Sequence, residues 1–243
     1  MRAALAFVVA SFAVAAGADA APTAPPLAGR TIAIDPGHNG GNAANATRIN
    51  RLVNAGTLWK ACDTVGAATY RGYSEAAHNL DVALRVARIL RAHGARVVLT
   101  RRTNNGWGPC ITTRAAIGNR ARADAAVSIH ADGGPAAGRG FHVIYPQSIR
   151  GLTDDIAPAS RRLALALRRT YRSATAMPYA SYVGRAGLSR RRDLGGLNLS
   201  DVPKVFLEAG NMRNARDARL LESPSFRARE ARALAAALSE FLG

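Results

Sequence analysis

The chain has 243 residues, of which 48% are hydrophobic and 20% charged, and its formal net charge is +17. This hydrophobic content excludes an intrinsically disordered chain and suits a single domain with an ordinary core. The charge comes almost wholly from arginine, which indicates either attraction to a polyanion or an arginine-rich coding bias, and no motif of the common nucleic-acid-binding modules accompanies it.

The first 20 residues have the pattern of a secretory signal peptide. Arg2 supplies a short positive region, residues 3–18 form an almost unbroken apolar run, and Ala18-Asp19-Ala20 matches the small-x-small cleavage pattern. An uncleaved membrane anchor is the alternative, but a span usually needs about 20 apolar residues, and no later segment is long and apolar enough. We therefore expect an exported protein with a Pro-rich leader at 21–29 and a folded domain at 30–243.

Strand-like and helix-like segments alternate along the rest of the chain, which predicts a layered α/β domain. The predicted strands cover residues 30–35, 95–100, 124–130, 140–145 and 203–208. The predicted helices cover residues 74–92, 112–122, 159–172 and 224–242. The first helix is the clearest, because apolar residues recur at helical spacing between Ser74, a suitable N-cap, and Gly94, a suitable stop.

Residues 39–73 differ from the rest, because they are rich in Asn, Gly and Thr and show no sustained periodicity. A stretch of this length inside a compact domain is usually functional or irregular, so we place it at the rim of a site. It holds Cys62, and in an exported protein we expect Cys62 and Cys110 to form a disulfide bond. Metal ligation by the pair is the alternative, although their separation matches no zinc-finger spacing.

Four residues that can bind a metal ion or transfer protons lie at the ends of predicted elements. His38 follows the first strand, and Glu75 begins the first helix. His130 and Glu208 each close a later strand. Ligand sites in open α/β sheets gather beyond the carboxyl ends of the strands, so these side chains can converge there. Two histidines and one carboxylate leave one position of a zinc ion open, as in hydrolytic sites, and a further carboxylate can move the proton of the attacking water. The pattern by itself leaves a structural role for the histidines equally open.

Motifs around these residues occur in the order of one known family. They are Asp35-Pro36-Gly37-His38, Glu75 at a helix start, Ser128-Ile129-His130-Ala131-Asp132 and Glu208-Ala209-Gly210-Asn211-Met212. In these motifs the chain resembles the zinc-dependent N-acetylmuramoyl-L-alanine amidases of bacterial cell walls, over about residues 30–242. Residues 38–42, the two cysteines and residues 140–143 most resemble the short mycobacterial and actinobacterial branch, which has no wall-binding domain.

The resemblance implies one zinc ion per chain, bound by His38, Glu75 and His130, with Glu208 as the catalytic carboxylate. It also implies a single α/β domain whose twisted, mixed and mostly parallel sheet is flanked by helices, with the metal site at the carboxyl ends of the strands.

The function that the resemblance implies is hydrolysis of the amide bond between N-acetylmuramic acid and the L-alanine of the peptidoglycan stem peptide, an autolysin-type remodelling of the wall. Two alternatives are a zinc peptidase acting within the stem peptide and a non-catalytic wall-binding relative. The presence of all four site residues argues against the second. We expect a monomer in the periplasm, cell wall or extracellular space that binds peptidoglycan and anionic wall polymers, with no nucleic-acid partner.

Three further features receive a structural interpretation. His78 lies three residues after Glu75, and we assign it to packing or solvent contact rather than to the site. His142 is interpreted as a structural residue of its strand. Residues 185–192 (RAGLSRRR) are interpreted as a charged loop at the rim of the site.

Overall fold

Short segments rich in β-branched residues form a central sheet, and longer amphipathic segments form the helices around it, in a computed structural model that describes residues 25–243. The strands are β1 (Thr31–Pro36), β2 (Leu52–Asn54), β3 (Trp59–Ala61), β4 (Arg96–Leu99), β5 (Ala125–Asp132), β6 (His142–Pro146), β7 (Leu188–Arg191) and β8 (Lys204–Asn211). The helices are α1 (Ala46–Ile49), α2 (Glu75–Ala92), α3 (Ile111–Arg120), α4 (Ala157–Thr175), α5 (Gly195–Asn198), α6 (Ala215–Leu221) and α7 (Pro224–Leu242).

The sheet confirms the predicted mixed, mostly parallel architecture. Its strand order is β4-β1-β5-β8-β6-β7, and β2 pairs with β3 in a separate hairpin. Neighbouring strands of the sheet are parallel except β6 and β8, which are antiparallel. Because β1, β5 and β8 are adjacent and parallel, their carboxyl ends meet at one edge, where His130 and Glu208 are register partners.

Alternation along the central strands separates an apolar face from a polar one. Helices α2, α4 and α7 cover the apolar face, where Ile34, Ile129 and Leu207 belong to one large buried cluster. Helix α3 contacts β1, and α5 contacts β6 and α3. The residues that alternate with the apolar set include buried Asp35 and Lys204. A buried polar layer under the site follows from this alternation.

The long helices confirm their predictions, whereas residues 185–192 are not simply a loop. Residues Leu188–Arg191 form β7, an edge strand parallel to β6. Strand β7 forms because of a long-range contact: Val143 of β6 pairs with Leu188. The local sequence does not indicate this pairing. Charged side chains such as exposed Arg190 are common on edge strands, where they prevent further pairing.

The predicted signal peptide and residues 21–24 lie outside the described residues. Residues 26–29 form a turn rather than a loose leader, since Leu27 is fully buried and its N–H donates to His93 O at 2.8 Å. No helix between residues 25 and 243 has the length and apolar character needed to span a membrane.

Cys62 and Cys110 are bonded to each other, with a sequence separation of 48. The bridge joins the irregular segment to the start of α3, where Cys110 is the N-cap residue. Because both sulfurs are bonded, neither is free to bind a metal ion.

We expect the double substitution Cys62→Ser and Cys110→Ser to lower the free energy of unfolding by up to about 4 kcal/mol, because the unfolded chain regains the entropy of a closed loop. Urea unfolding of metal-free wild-type and double-variant protein measures the difference. An unchanged unfolding free energy, or two free thiols in unreduced, denatured wild-type protein, would contradict the prediction.

Candidate metal centre

The ends of β1 and β5 and the first turn of α2 bring three of the predicted residues together. Glu75 Oε1 lies 3.2 Å from His38 Nε2 and 2.9 Å from His130 Nδ1. One ligand atom from each residue lies within 4.8 Å of the others. Ligand atoms about 2.0–2.1 Å from a tetrahedral zinc ion are about 3.3 Å from one another. The three residues therefore fit a single zinc ion.

Two glycines allow the ligand-bearing segments to approach so closely. A Cβ atom on Gly37 would overlap the His130 ring. Gly66 has a φ of +83°, and a Cβ atom there would crowd the Glu75 carboxylate and the His38 ring. His38 itself has a left-handed φ of 55°, which only surrounding contacts can maintain in a non-glycine residue. The backbone here is shaped around the ligand positions.

Backbone N–H groups orient the carboxylate of Glu75. Its Oε2 atom accepts a hydrogen bond of 2.7 Å from Ala67, and its Oε1 atom accepts one of 3.2 Å from Ala131. Burial opposes ionisation of Glu75, but His38 and His130 outweigh it and hold its pKa well below the usual value. Glu75 is therefore an ionised carboxylate, the form that binds metal ions.

The surroundings of His38 are strongly negative. Burial disfavours a charge on its ring, but the carboxylates of Glu75 and Asp63 outweigh burial and raise the pKa of His38 to about 10. In the metal-free protein the ring therefore carries an extra proton, which a metal ion would have to displace on binding. A site that attracts this proton also attracts a dication.

Glu208 lies beside the cluster of three candidate ligands without belonging to it. It lines the same open groove, and its Oε2 atom is buried with no hydrogen-bond partner in residues 25–243. Burial, together with the negative charges of Glu75 and Asp132, raises the pKa of Glu208 well above its usual value. A carboxylate with this affinity for protons is suited to accept and return one during a reaction.

The groove also contains two charged residues to which the sequence assigned no role, Asp132 and Arg213. Asp132 ends β5 two residues after His130, and Arg213 is an exposed residue just beyond β8. Asp132 is the last residue of the motif that contains His130, which is the signal that could have indicated it. Arg213 lies in no such motif, and its position just beyond β8 is its only local signal.

A mostly apolar cavity of about 160 Å³ lies on the other side of the two histidines. The His130 ring stacks on Phe206, with 5.2 Å between ring centroids and 2° between ring planes. Ile111 and Leu194 also line the cavity. The histidine pair thus separates a polar groove from an apolar space.

The structure places His78 and His142 outside the ligand cluster. His78 is fully buried in the helical layer, with Nε2 3.5 Å from Glu230 Oε2. His142 is buried in β6, and burial lowers its pKa to about 4, so it is neutral near pH 7. Both contribute to packing.

Comparison with known proteins gives one consistent result. Residues 32–240 match the family model described as N-acetylmuramoyl-L-alanine amidase. The chain is 42% identical over 216 residues to an N-acetylmuramoyl-L-alanine amidase of Mycobacterium tuberculosis, covering 89% of this chain and 88% of the relative. The crystal structure of the N-acetylmuramyl-L-alanine amidase Ami1 from Mycobacterium smegmatis is similar with a TM-score of 0.83 and 41% identity, over 89% of this chain and 98% of that one. An N-acetylmuramoyl-L-alanine amidase of Nostoc punctiforme, AmiC2, has a TM-score of 0.66 and 26% identity, over 88% of this chain and 97% of that one.

Proposed function

The chain belongs to the N-acetylmuramoyl-L-alanine amidase family, and from that premise we propose that it is a zinc-dependent hydrolase of the amide bond between N-acetylmuramic acid and the L-alanine of the peptidoglycan stem peptide. The observation that carries this proposal is the convergence of His38, Glu75 and His130 in one groove with the carboxylate of Glu208, whose Oε2 atom has no hydrogen-bond partner within residues 25–243.

The reaction adds water across the amide bond. Water attacks the lactyl carbonyl carbon, the C–N bond breaks, and the products are the lactyl carboxylate of muramic acid and the free amino group of L-alanine. His38, Glu75 and His130 would hold a zinc ion, which would supply a Lewis acid for the carbonyl and would lower the pKa of the attacking water. The Glu208 carboxylate accepts the proton of the water and returns it to the departing amine.

Export of the protein is part of the proposal. The disulfide bond supports it, because such bonds persist in oxidising compartments and are rare in the cytosol. The predicted signal peptide, and the periplasmic, wall or extracellular location that it would give, agree with a peptidoglycan substrate. We expect the protein to bind anionic wall polymers through its arginine-rich surface and to be a monomer, and both remain predictions.

The experiment that tests the bond assignment is digestion of purified peptidoglycan, followed by mass spectrometry of the fragments. We expect stem peptides with a free N-terminal L-alanine and intact glycan strands bearing free lactyl carboxylates. Fragments cut within the stem peptide would assign the protein to the peptidases instead, and wall binding without any cleavage would identify a non-catalytic relative.

We expect zinc to be essential for this activity. Purified active protein should contain one zinc ion per chain, a chelator should abolish hydrolysis, and added zinc should restore it. Zinc should also raise the unfolding temperature of the metal-free protein, because a ligand that binds the folded state stabilises it. Elemental analysis that shows fully active protein without a transition metal would contradict the prediction.

A further inference from the structure

The Nδ1 atom of His38, on the side of the ring away from Glu75, faces oxygen atoms. It lies 3.0 Å from Thr64 O, 3.2 Å from Thr64 Oγ1 and 3.3 Å from Asp63 Oδ1. The carbonyl and the carboxylate can only accept hydrogen bonds, so Nδ1 has to carry a proton. With the proton on Nδ1, the lone pair of the neutral ring is on Nε2, the atom that faces Glu75.

Asp63 is itself held in place from two directions. Its Oδ1 atom accepts a hydrogen bond of 2.8 Å from the Thr64 N–H, and its Oδ2 atom accepts one of 3.0 Å from Arg114 Nη2. Asp63 and Arg114 are both buried, with 4% exposed surface each. A buried ion pair of this kind has little freedom to reorient, so the carboxylate presents a fixed acceptor to His38.

Arg114 holds the backbone of the same histidine. Its Nη2 atom donates to His38 O at 2.9 Å, and its Nη1 atom donates to Pro36 O at 2.8 Å and to Asp35 Oδ1 at 2.9 Å. Lys204 Nζ lies 3.4 Å from the other oxygen of Asp35. Asp35, Asp63, Arg114 and Lys204 therefore belong to one buried network of ion pairs beneath His38.

Covalent structure fixes the two elements that supply this network. The disulfide bond joins Cys62, the neighbour of Asp63, to Cys110, which lies one helical turn before Arg114. The Ile111 N–H also donates to Cys62 O at 2.7 Å. The disulfide bond and this hydrogen bond therefore hold the irregular segment and α3 in a fixed position relative to each other.

We propose that Asp63 is a positioning residue for the metal site: held by Arg114, it fixes the tautomer and orientation of His38 so that Nε2 faces the metal ion. The proposal rests on the metal site described under the proposed function. Partners of this kind orient metal-binding histidines and increase their basicity, and their removal typically costs about 10–100-fold in metal affinity or activity.

The test is the zinc affinity of Asp63→Asn and Asp63→Ala, measured on metal-free protein by competition with a chromophoric chelator. We expect both variants to bind zinc about 10–100-fold more weakly than the wild type. Asp124→Asn is the matched control: Asp124 lies at the opposite end of the sheet, next to Arg30, and its Oδ2 atom accepts the Thr31 N–H at 2.7 Å. This control should keep the wild-type affinity.

A second measurement separates positioning from a merely structural role. Asp63→Asn leaves Arg114 paired with Asp35, so metal-free Asp63→Asn should keep the circular dichroism spectrum of the wild type. Wild-type zinc affinity in both Asp63 variants would overturn the proposal and show that the Thr64 carbonyl alone orients His38. A wild-type protein that binds no zinc would instead overturn the proposed function.

Discussion

Glu208→Gln is expected to lower turnover on peptidoglycan by about 10²–10⁴-fold, the usual contribution of a general acid–base residue, while zinc content stays at one ion per chain. Glutamine keeps the size of the side chain and an acceptor oxygen, but it cannot take up the proton of the attacking water. The expected loss is therefore in kcat, with a smaller effect on KM.

The reason to expect retained zinc is that Glu208 is not needed to complete the ligand set. His38, Glu75 and His130 already provide two histidines and one carboxylate, which is the ligand set of hydrolytic zinc sites with one open position. Glu208 approaches from β8, a different strand, and its free oxygen has no hydrogen-bond partner among the described residues.

Zinc content and turnover should be measured on the same purified preparation, with Glu240→Gln as the matched control. Glu240 is an exposed residue of α7 paired with Arg169, so this control should behave as the wild type. Loss of zinc together with activity would move Glu208 into the ligand set. Full activity with full zinc would remove it from the mechanism.

His38→Ala and His130→Ala are each expected to weaken zinc binding by more than about 100-fold. Removing a residue that only hydrogen-bonds to a metal ligand already lowers metal affinity by about 10–100-fold, and removing the ligand itself should cost more. Activity should fall below detection at substoichiometric zinc, because the groove loses both the Lewis acid and the acidified water. Equilibrium dialysis against buffered zinc measures the affinity.

His93→Ala is the control for these two variants. His93 is the C-cap residue of α2, and its carbonyl accepts the Leu27 N–H at the end of that helix opposite to Glu75. Zinc affinity and activity should be unchanged in this variant. Retained zinc binding in His38→Ala or His130→Ala would show that the residue is not a ligand.

Local sequence determined the long elements and the places along the chain where the candidate ligands lie. Helix α2 follows from its apolar spacing and from Ser74, whose Oγ atom accepts the Ala77 N–H at 3.2 Å. The motif that ends in His38 and the strand that contains His130 are local features as well. Once adjacent parallel strands are assumed, the common edge of their carboxyl ends brings these residues together. Their assignment as ligands, and that of Glu208 as the catalytic carboxylate, came from the family resemblance.

Only the tertiary structure decided which distant residues support that site. Asp63 and Arg114 are 51 positions apart, and their ion pair depends on how the irregular segment folds against α3. The same holds for the pairing of β6 with β7, and for the position of Arg213 in the groove. Periodicity and caps act over one or two helical turns, whereas these contacts depend on the closure of long loops and on burial. Burial also sets the electrostatics: the carboxylate of Glu208 has a raised pKa because it is enclosed beside Glu75, a consequence of packing that no local pattern in the sequence contains.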